Sequence, residues 1–294
     1  MRSTWLALYV VALAGMLANA CDDAGGDGDS DADTDVDTDV DTDTDADGDG
    51  SADCADWPCA QRDRNHIGLR VTAMHLSAPA ALASAALQPI LNDRLDGFHF
   101  LLLVEADFTS STLDIGAGWT ETQPPTSDAE FCTVQWNPDF AVVRNVPFAL
   151  EGDSVSVEPI ASTLVIPVYS QIDGALLMTL PMSLLELDGV TLSEDRCLVG
   201  TPHPRPGTYE YAGDWEPAGR FTAWIGWDDA DAAMISDPLN LTLCALLCGL
   251  PGPTCEDADP AECPQGAPVT IPGTDRLGWQ IQAQVGAGAV TITE

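Results

Sequence analysis

The chain has 294 residues and a formal net charge of −37, with ten basic residues, all Arg, against forty-seven acidic ones. So acidic a balance argues against nucleic acid or an anionic membrane surface as an electrostatic partner, since both repel it. The absence of Lys removes every Lys-dependent mechanism, including the phosphate-cradling P-loop.

Residues 1–20 predict an export signal. Arg2 is the one positive charge, and "WLALYVVALAGMLA" is an apolar stretch too short to span a bilayer comfortably. "ANA" then places small residues before Cys21. The segment resembles a bacterial lipoprotein signal, which implies acylation of Cys21 and attachment to a membrane through that lipid. Ala18 stands where such signals usually have Leu. Ordinary cleavage after Ala20, giving a soluble secreted protein, is the alternative. The chain has nine Cys, at 21, 54, 59, 132, 197, 244, 248, 255 and 263. An odd number in an exported chain needs a reason. Setting Cys21 aside leaves eight, enough for four disulfides in an oxidising compartment.

Residues 21–56 hold sixteen Asp and no hydrophobic face. Neighbouring carboxylates repel, and nothing is available to offset ordering entropy, so the run is expected to be extended and disordered. The thirty-two residues between Cys21 and Cys54 reach on the order of 100 Å when stretched, at ~3.3 Å each. That is a spacer. The order of acylated Cys, Asp-Thr and Asp-Val repeats and a Cys-containing domain resembles lipoproteins of myxobacteria, which implies a cell-envelope address and no defined activity. Within the run, Asp45, Asp47, Asp49, Gly50, Asp53 and Asp56 follow D-x-D-x-D-G-x-x-D-x-x-D. The pattern is similar to a thrombospondin type 3 repeat and an EF-hand loop, which implies calcium on the five carboxylates, with Gly50 at the sharp turn. Diffuse cation condensation is the alternative.

Residues 57–294 predict a mainly β domain, an antiparallel sandwich or open curved barrel with one or two short helices, stapled by disulfides. "FHFLLLVEADF" suits a central strand. "GDSVSVEP", "STLVIPV", "RFTAWIGW" and "GWQIQAQVGAGAVTIT" have the period of strands. Asp-Gly at 96–97, 173–174 and 188–189 predicts hairpin turns. "SAPAALASAALQPILNDRL" predicts a helix capped by Ser77, and "DPLNLTLCALLCGLPGP" a short helix stopped by Gly249. Four residues apart on that helix, Cys244 and Cys248 point the same way, toward Cys255 and Cys263 in the next loop. Proximity then suggests Cys54 with Cys59 and Cys132 with Cys197. Zinc on the 244, 248, 255, 263 set is the alternative.

No G-x-S-x-G, S-x-x-K or H-E-x-x-H occurs. His75 and His99 fall in apolar runs and are expected to be packed or satisfied by hydrogen bonds. Asp228, Asp229 and Asp231 could serve a metal-dependent hydrolase if a His converged on them. Tyr209, Tyr211, Trp215 and Trp224 offer rings to a carbohydrate or small apolar ligand, unless they are core. The sequence therefore favours a non-enzymatic binding or structural module with no cofactor beyond calcium. A ligand-binding module comes second and a hydrolase last.

Overall fold

A computed structural model describes Trp57, Cys59, Gln88 and residues 63–84, 99–120, 132–170, 174–204, 211–216, 218–236 and 239–293, with backbone alone for 201–204 and 211–216. The chain divides into two units, Met1–Gly50 and Ser51–Glu294, and every described residue belongs to the second. The signal segment, Cys21, Cys54, Tyr209 and the five candidate calcium ligands lie outside the described residues.

The domain is mainly β. In chain order the strands begin with β1 (His66–Ala78), β2 (Leu102–Asp107), β3 (Thr112–Trp119), β4 (Thr133–Trp136), β5 (Val143–Pro147) and β6 (Ala149–Glu151). There follow β7 (Ser154–Ile160), β8 (Leu164–Tyr169), β9 (Leu176–Thr191), β10 (Leu198–Val199), β11 (Thr201–Pro204), β12 (Tyr211–Glu216) and β13 (Arg220–Gly226). After helix α1 (Trp227–Ala232) come β14 (Met234–Ile235) and β15 (Leu241–Thr242), then helix α2 (Leu243–Cys248). A 3-10 turn at Pro260–Glu262, β16 (Val269–Thr270) and β17 (Leu277–Thr293) complete the chain.

Thirteen strands form one sheet, with the order β1-β2-β3-β4-β17-β13-β9-β7-β6 along its main path. β1 also pairs with β17, so β1, β2, β3, β4 and β17 close into a ring. All these pairings are antiparallel except β4 with β17, which is parallel. β17 is the spine. Its alternation of Trp279, Ile281, Ala283 and Val285 against three Gln buries the apolar set in the main core, as the period-two pattern predicts. From Val285 the sequence becomes Gly-Ala-Gly-Ala, and both faces are then covered.

The main core takes Ile67, Leu69, Leu102, Leu113, Ile115, Phe221, Ile225 and Ala287 from one face of the sheet. Leu101, Leu103, Val134, Trp136 and Val290 form a second cluster. Gly118 admits it, because a Cβ there would lie 2.8 Å from Leu103. β2 is central, between β1 and β3, as its continuous apolar run predicts.

Two sequence expectations change. Ser77 lies inside β1 and caps no helix, and Pro79 begins a turn whose carbonyl accepts from the Leu82 and Ala83 amides. Residues 79–83 are turn and bend rather than helix; Gln88 is helical, and 85–87 and 89–95 lie outside the described residues. Asp188–Gly189 is a bulge within β9, where Val155 pairs with Val190 and Val157 with Leu187. Gly189 supplies the positive φ of 62° that the extra residue requires. Of the 173–174 pair, Gly174 lies between β8 and β9 at φ 68°, and Asp173 lies outside the described residues.

Candidate functional site

α2 behaves as its sequence predicts. The Thr242 side chain caps it by accepting from the Ala245 amide, and Gly249 ends it in the left-handed conformation at φ 77°. Cys244 bonds Cys255 and Cys248 bonds Cys263. The four sulfurs are thus spent on disulfides, which removes the zinc alternative for that set. The pairing expected near the N-terminus is overturned. Cys59 bonds Cys132 across 73 residues, so neither Cys54–Cys59 nor Cys132–Cys197 exists. Cys197 is disulfide-bonded as well.

Sequence proximity misled because the β-sheet brings Cys132 to Cys59. Cys132 immediately precedes β4, and β4 lies alongside the end of β17 with Thr133 against Thr291. Trp57 is 3% exposed and rests over Gly288 of β17, where a Cβ would collide with its ring. Its indole N–H donates to the Ala289 carbonyl at 2.8 Å, and the Ala289 amide donates to the Cys197 carbonyl at 2.7 Å. Trp57, Cys59, Cys197, Leu198 and Ala289 form one buried cluster, with Cys132 packed against it. The place where the chain enters the domain is therefore a knot of aromatic and sulfur contacts. Arg70, opposite Gly288 in register, emerges on the same face and is 1% exposed.

The Asp cluster is structural among the described residues. Asp229 Oδ2 accepts from Arg276 Nη2 at 2.6 Å. Asp231 Oδ1 accepts from Thr242 Oγ1 at 3.1 Å and from the Cys255 amide at 2.8 Å. The ligand atoms of Asp231, Cys244 and Cys255 lie within 4.8 Å of one another. Both sulfurs there belong to one disulfide and offer no thiolate. Among the described His side chains none joins them: His66 contacts Glu105, His75 is exposed and His99 is buried elsewhere in the sheet. The exposure of His75 corrects its expected packing. The arrangement holds α1 against α2.

Of the four candidate rings, Trp224 alone has a described side chain, and it is buried. Phe221, Ala223 and Ile225 face the main core, and Trp224 on the other side of β13 is also buried, which leaves no ring face for stacking. Trp227 starts α1 and stacks on Trp279, with centroids 5.4 Å apart. Tyr211 and Trp215 lie in β12.

Sequence reading also missed a polar group beside the sheet. Asn137 Nδ2 donates to Tyr169 Oη at 2.9 Å, and Trp119 meets the Tyr169 ring edge-on. Burial pushes the Tyr169 phenol up, against the Asn137 hydrogen bond, which pulls it down. Asp107 is held below the usual carboxylate range, first by the Ser110 hydroxyl and then by the Thr109 and Ser110 amides.

Comparison of the chain with protein-family models, curated proteins and solved structures finds no match in any of the three. The disulfides themselves indicate folding in an oxidising, extracytoplasmic compartment. No helix among the described residues is long and apolar enough to cross a membrane.

Proposed function

We propose that this chain is an exported cell-envelope lipoprotein. Cys21 carries the lipid, residues 22–56 space the domain from the membrane, and residues 57–294 form a binding or structural module that performs no catalysis. The observation that supports it is the cysteine arithmetic. All seven described cysteines are disulfide-bonded, and one more is needed for Cys197. Eight of nine are thereby used. Cys54 stands five residues before Cys59, which shares a cluster with Cys197, whereas Cys21 lies at the far end of the Asp run. Assigning Cys54 to Cys197 leaves Cys21 as the single thiol available for acylation.

Intact-mass and peptide mapping of the membrane-extracted chain test this. Acyl chains on an N-terminal Cys21 and a Cys54–Cys197 peptide are expected. A soluble product with a free Cys21 thiol, or with Cys21 bonded to Cys197, overturns it.

Calcium at Asp45, Asp47, Asp49, Asp53 and Asp56 belongs to the same proposal. A single-ion loop depends on the turn at Gly50, while a diffuse polyanion depends on charge alone. Calorimetric titration should therefore show weaker calcium binding in Gly50→Val than in the wild type at physiological salt. Equal, salt-sensitive binding by both reduces the run to a spacer.

A further inference from the structure

We infer that the Cys59–Cys132 disulfide makes the entry to the domain a force-bearing anchor. Tension arriving at Cys59 is turned into shear between β4 and β17, where without the bond it would peel β1 from β17. That the chain works under tension rests on the tether proposed above; the load path itself is the same whether or not Cys21 carries a lipid.

Two strands meet the end of β17 with opposite polarity. β1 is antiparallel to it, with Gly68 against Val290 and Leu69 against Ala289, so the start of β1 lies beside the end of β17. Opposed pulls on these neighbouring ends load the outermost pair first, and its hydrogen bonds part before the next pair carries any load. β4 is parallel to β17, with Thr133 against Thr291, Val134 against Ile292 and Gln135 against Thr293. The start of β4 and the end of β17 are therefore far ends of one ladder. Pulling them apart slides one strand along the other, and all the hydrogen bonds of the ladder strain together.

The disulfide selects the second geometry. Along the peptide chain, Cys59 leads to His66 and β1. Through the bond it leads directly to Cys132, with the two Cα atoms 5.0 Å apart, and so to Thr133 and β4. Tension follows the direct covalent path, and the chain between the two cysteines is bypassed. Side chains back the loaded ladder. Val134 and Trp136 are buried in one cluster with Leu101, Leu103 and Val290, and Ile292 packs against it. Sliding must therefore drag packed apolar groups past one another as well as break hydrogen bonds. The Thr293 hydroxyl donates to the Val134 carbonyl at 3.3 Å, a further link between the strands. β4 is held in turn by β3, with Gly118 against Trp136 and Trp119 against Gln135.

Single-molecule pulling of the full chain, held by handles at its two ends, tests the anchor. Cys197 is disulfide-bonded as well, so both proteins carry Cys197→Ala to remove that second covalent entry. The first rupture of Cys197→Ala should need a several-fold higher force than that of Cys59→Ala/Cys132→Ala/Cys197→Ala. The Cys59–Cys132 bond also shortens the extended chain by its separation of 73 residues, about 240 Å at ~3.3 Å each. Each trace thus reports whether its molecule carries the bond. If a variant fails to fold, wild-type protein treated with graded dithiothreitol supplies both kinds of molecule, and those differing only by the 73-residue step are compared. Equal first-rupture forces with and without the bond overturn the anchor. A failure of the lipid reading looks different: intact-mass analysis finds an unmodified Cys21, while the dependence of the rupture force on the bond persists.

Discussion

The ring of Trp57 occupies the space that a side chain on Gly288 would need, and its indole nitrogen donates to the neighbouring Ala289 carbonyl. One residue just past the acidic run is thereby packed on the longest strand of the sheet, more than two hundred positions away in sequence. Gly288→Val should expel the ring and lower stability by about 2 kcal/mol, the usual cost of over-packing. Trp57→Ala should cost about 3–5 kcal/mol. The two should not add, because each removes the same contact. Urea unfolding of both single variants and the double checks this, and full additivity would refute the packing.

The three defined disulfides close loops of very different length, with separations of 73, 11 and 15 residues. In the chain-entropy account the first stabilises by about 4 kcal/mol and each of the others by about 3 kcal/mol. Cys59→Ala/Cys132→Ala should therefore lower the urea midpoint more than Cys248→Ala/Cys263→Ala does. The reverse order would show that local packing of α2, and not loop closure, sets the hierarchy.

Local chemistry was legible in the sequence and long-range chemistry was not. The alternation of Trp279 to Val285, the stop at Gly249 and the shared direction of Cys244 and Cys248 depend on a few neighbouring residues, and all three appear in the structure. The Cys59–Cys132 bond depends on β4 lying parallel to the end of β17, a pairing that no local pattern announces. Asp188–Gly189 failed as a hairpin because a positive-φ glycine serves a bulge as readily as a turn. The Asp228–Asp231 cluster looked chemical by residue type, yet its partners Arg276, Thr242 and Cys255 come from elsewhere in the chain. Trp57 gave one signal: a lone aromatic next to the first paired cysteine of the domain.

Alkaline stability should depend on Tyr169. Burial raises its phenol in the folded state above the ordinary value of 10.0. The native state therefore keeps a proton that the unfolded chain gives up. This contribution is complete below about pH 10 and is lost as pH rises through the folded-state value. Tyr169→Phe should flatten the alkaline limb of stability while leaving neutral pH behaviour nearly unchanged, apart from the lost Asn137 hydrogen bond. Urea midpoints measured from pH 8 to 11 give the comparison, and parallel limbs for both proteins would contradict it.

Asp231 should act as a structural bracket. Its Oδ1 accepts from the Thr242 hydroxyl and the Cys255 amide, while the same Thr242 oxygen accepts from Ala245 to cap α2. One carboxylate oxygen thus joins the end of α1, the start of α2 and the loop that Cys244–Cys255 closes. Asp231→Ala leaves the Cys255 N–H without its acceptor and should cost about 2 kcal/mol. Asp231→Asn keeps an oxygen acceptor and should cost less. The loss should be local first, so that Asp231→Ala speeds reduction of Cys244–Cys255 by dithiothreitol more than reduction of Cys59–Cys132. Timed alkylation with peptide mapping reads both rates in one sample. If the two bonds accelerate equally, the bracket acts only through global stability and the local role fails.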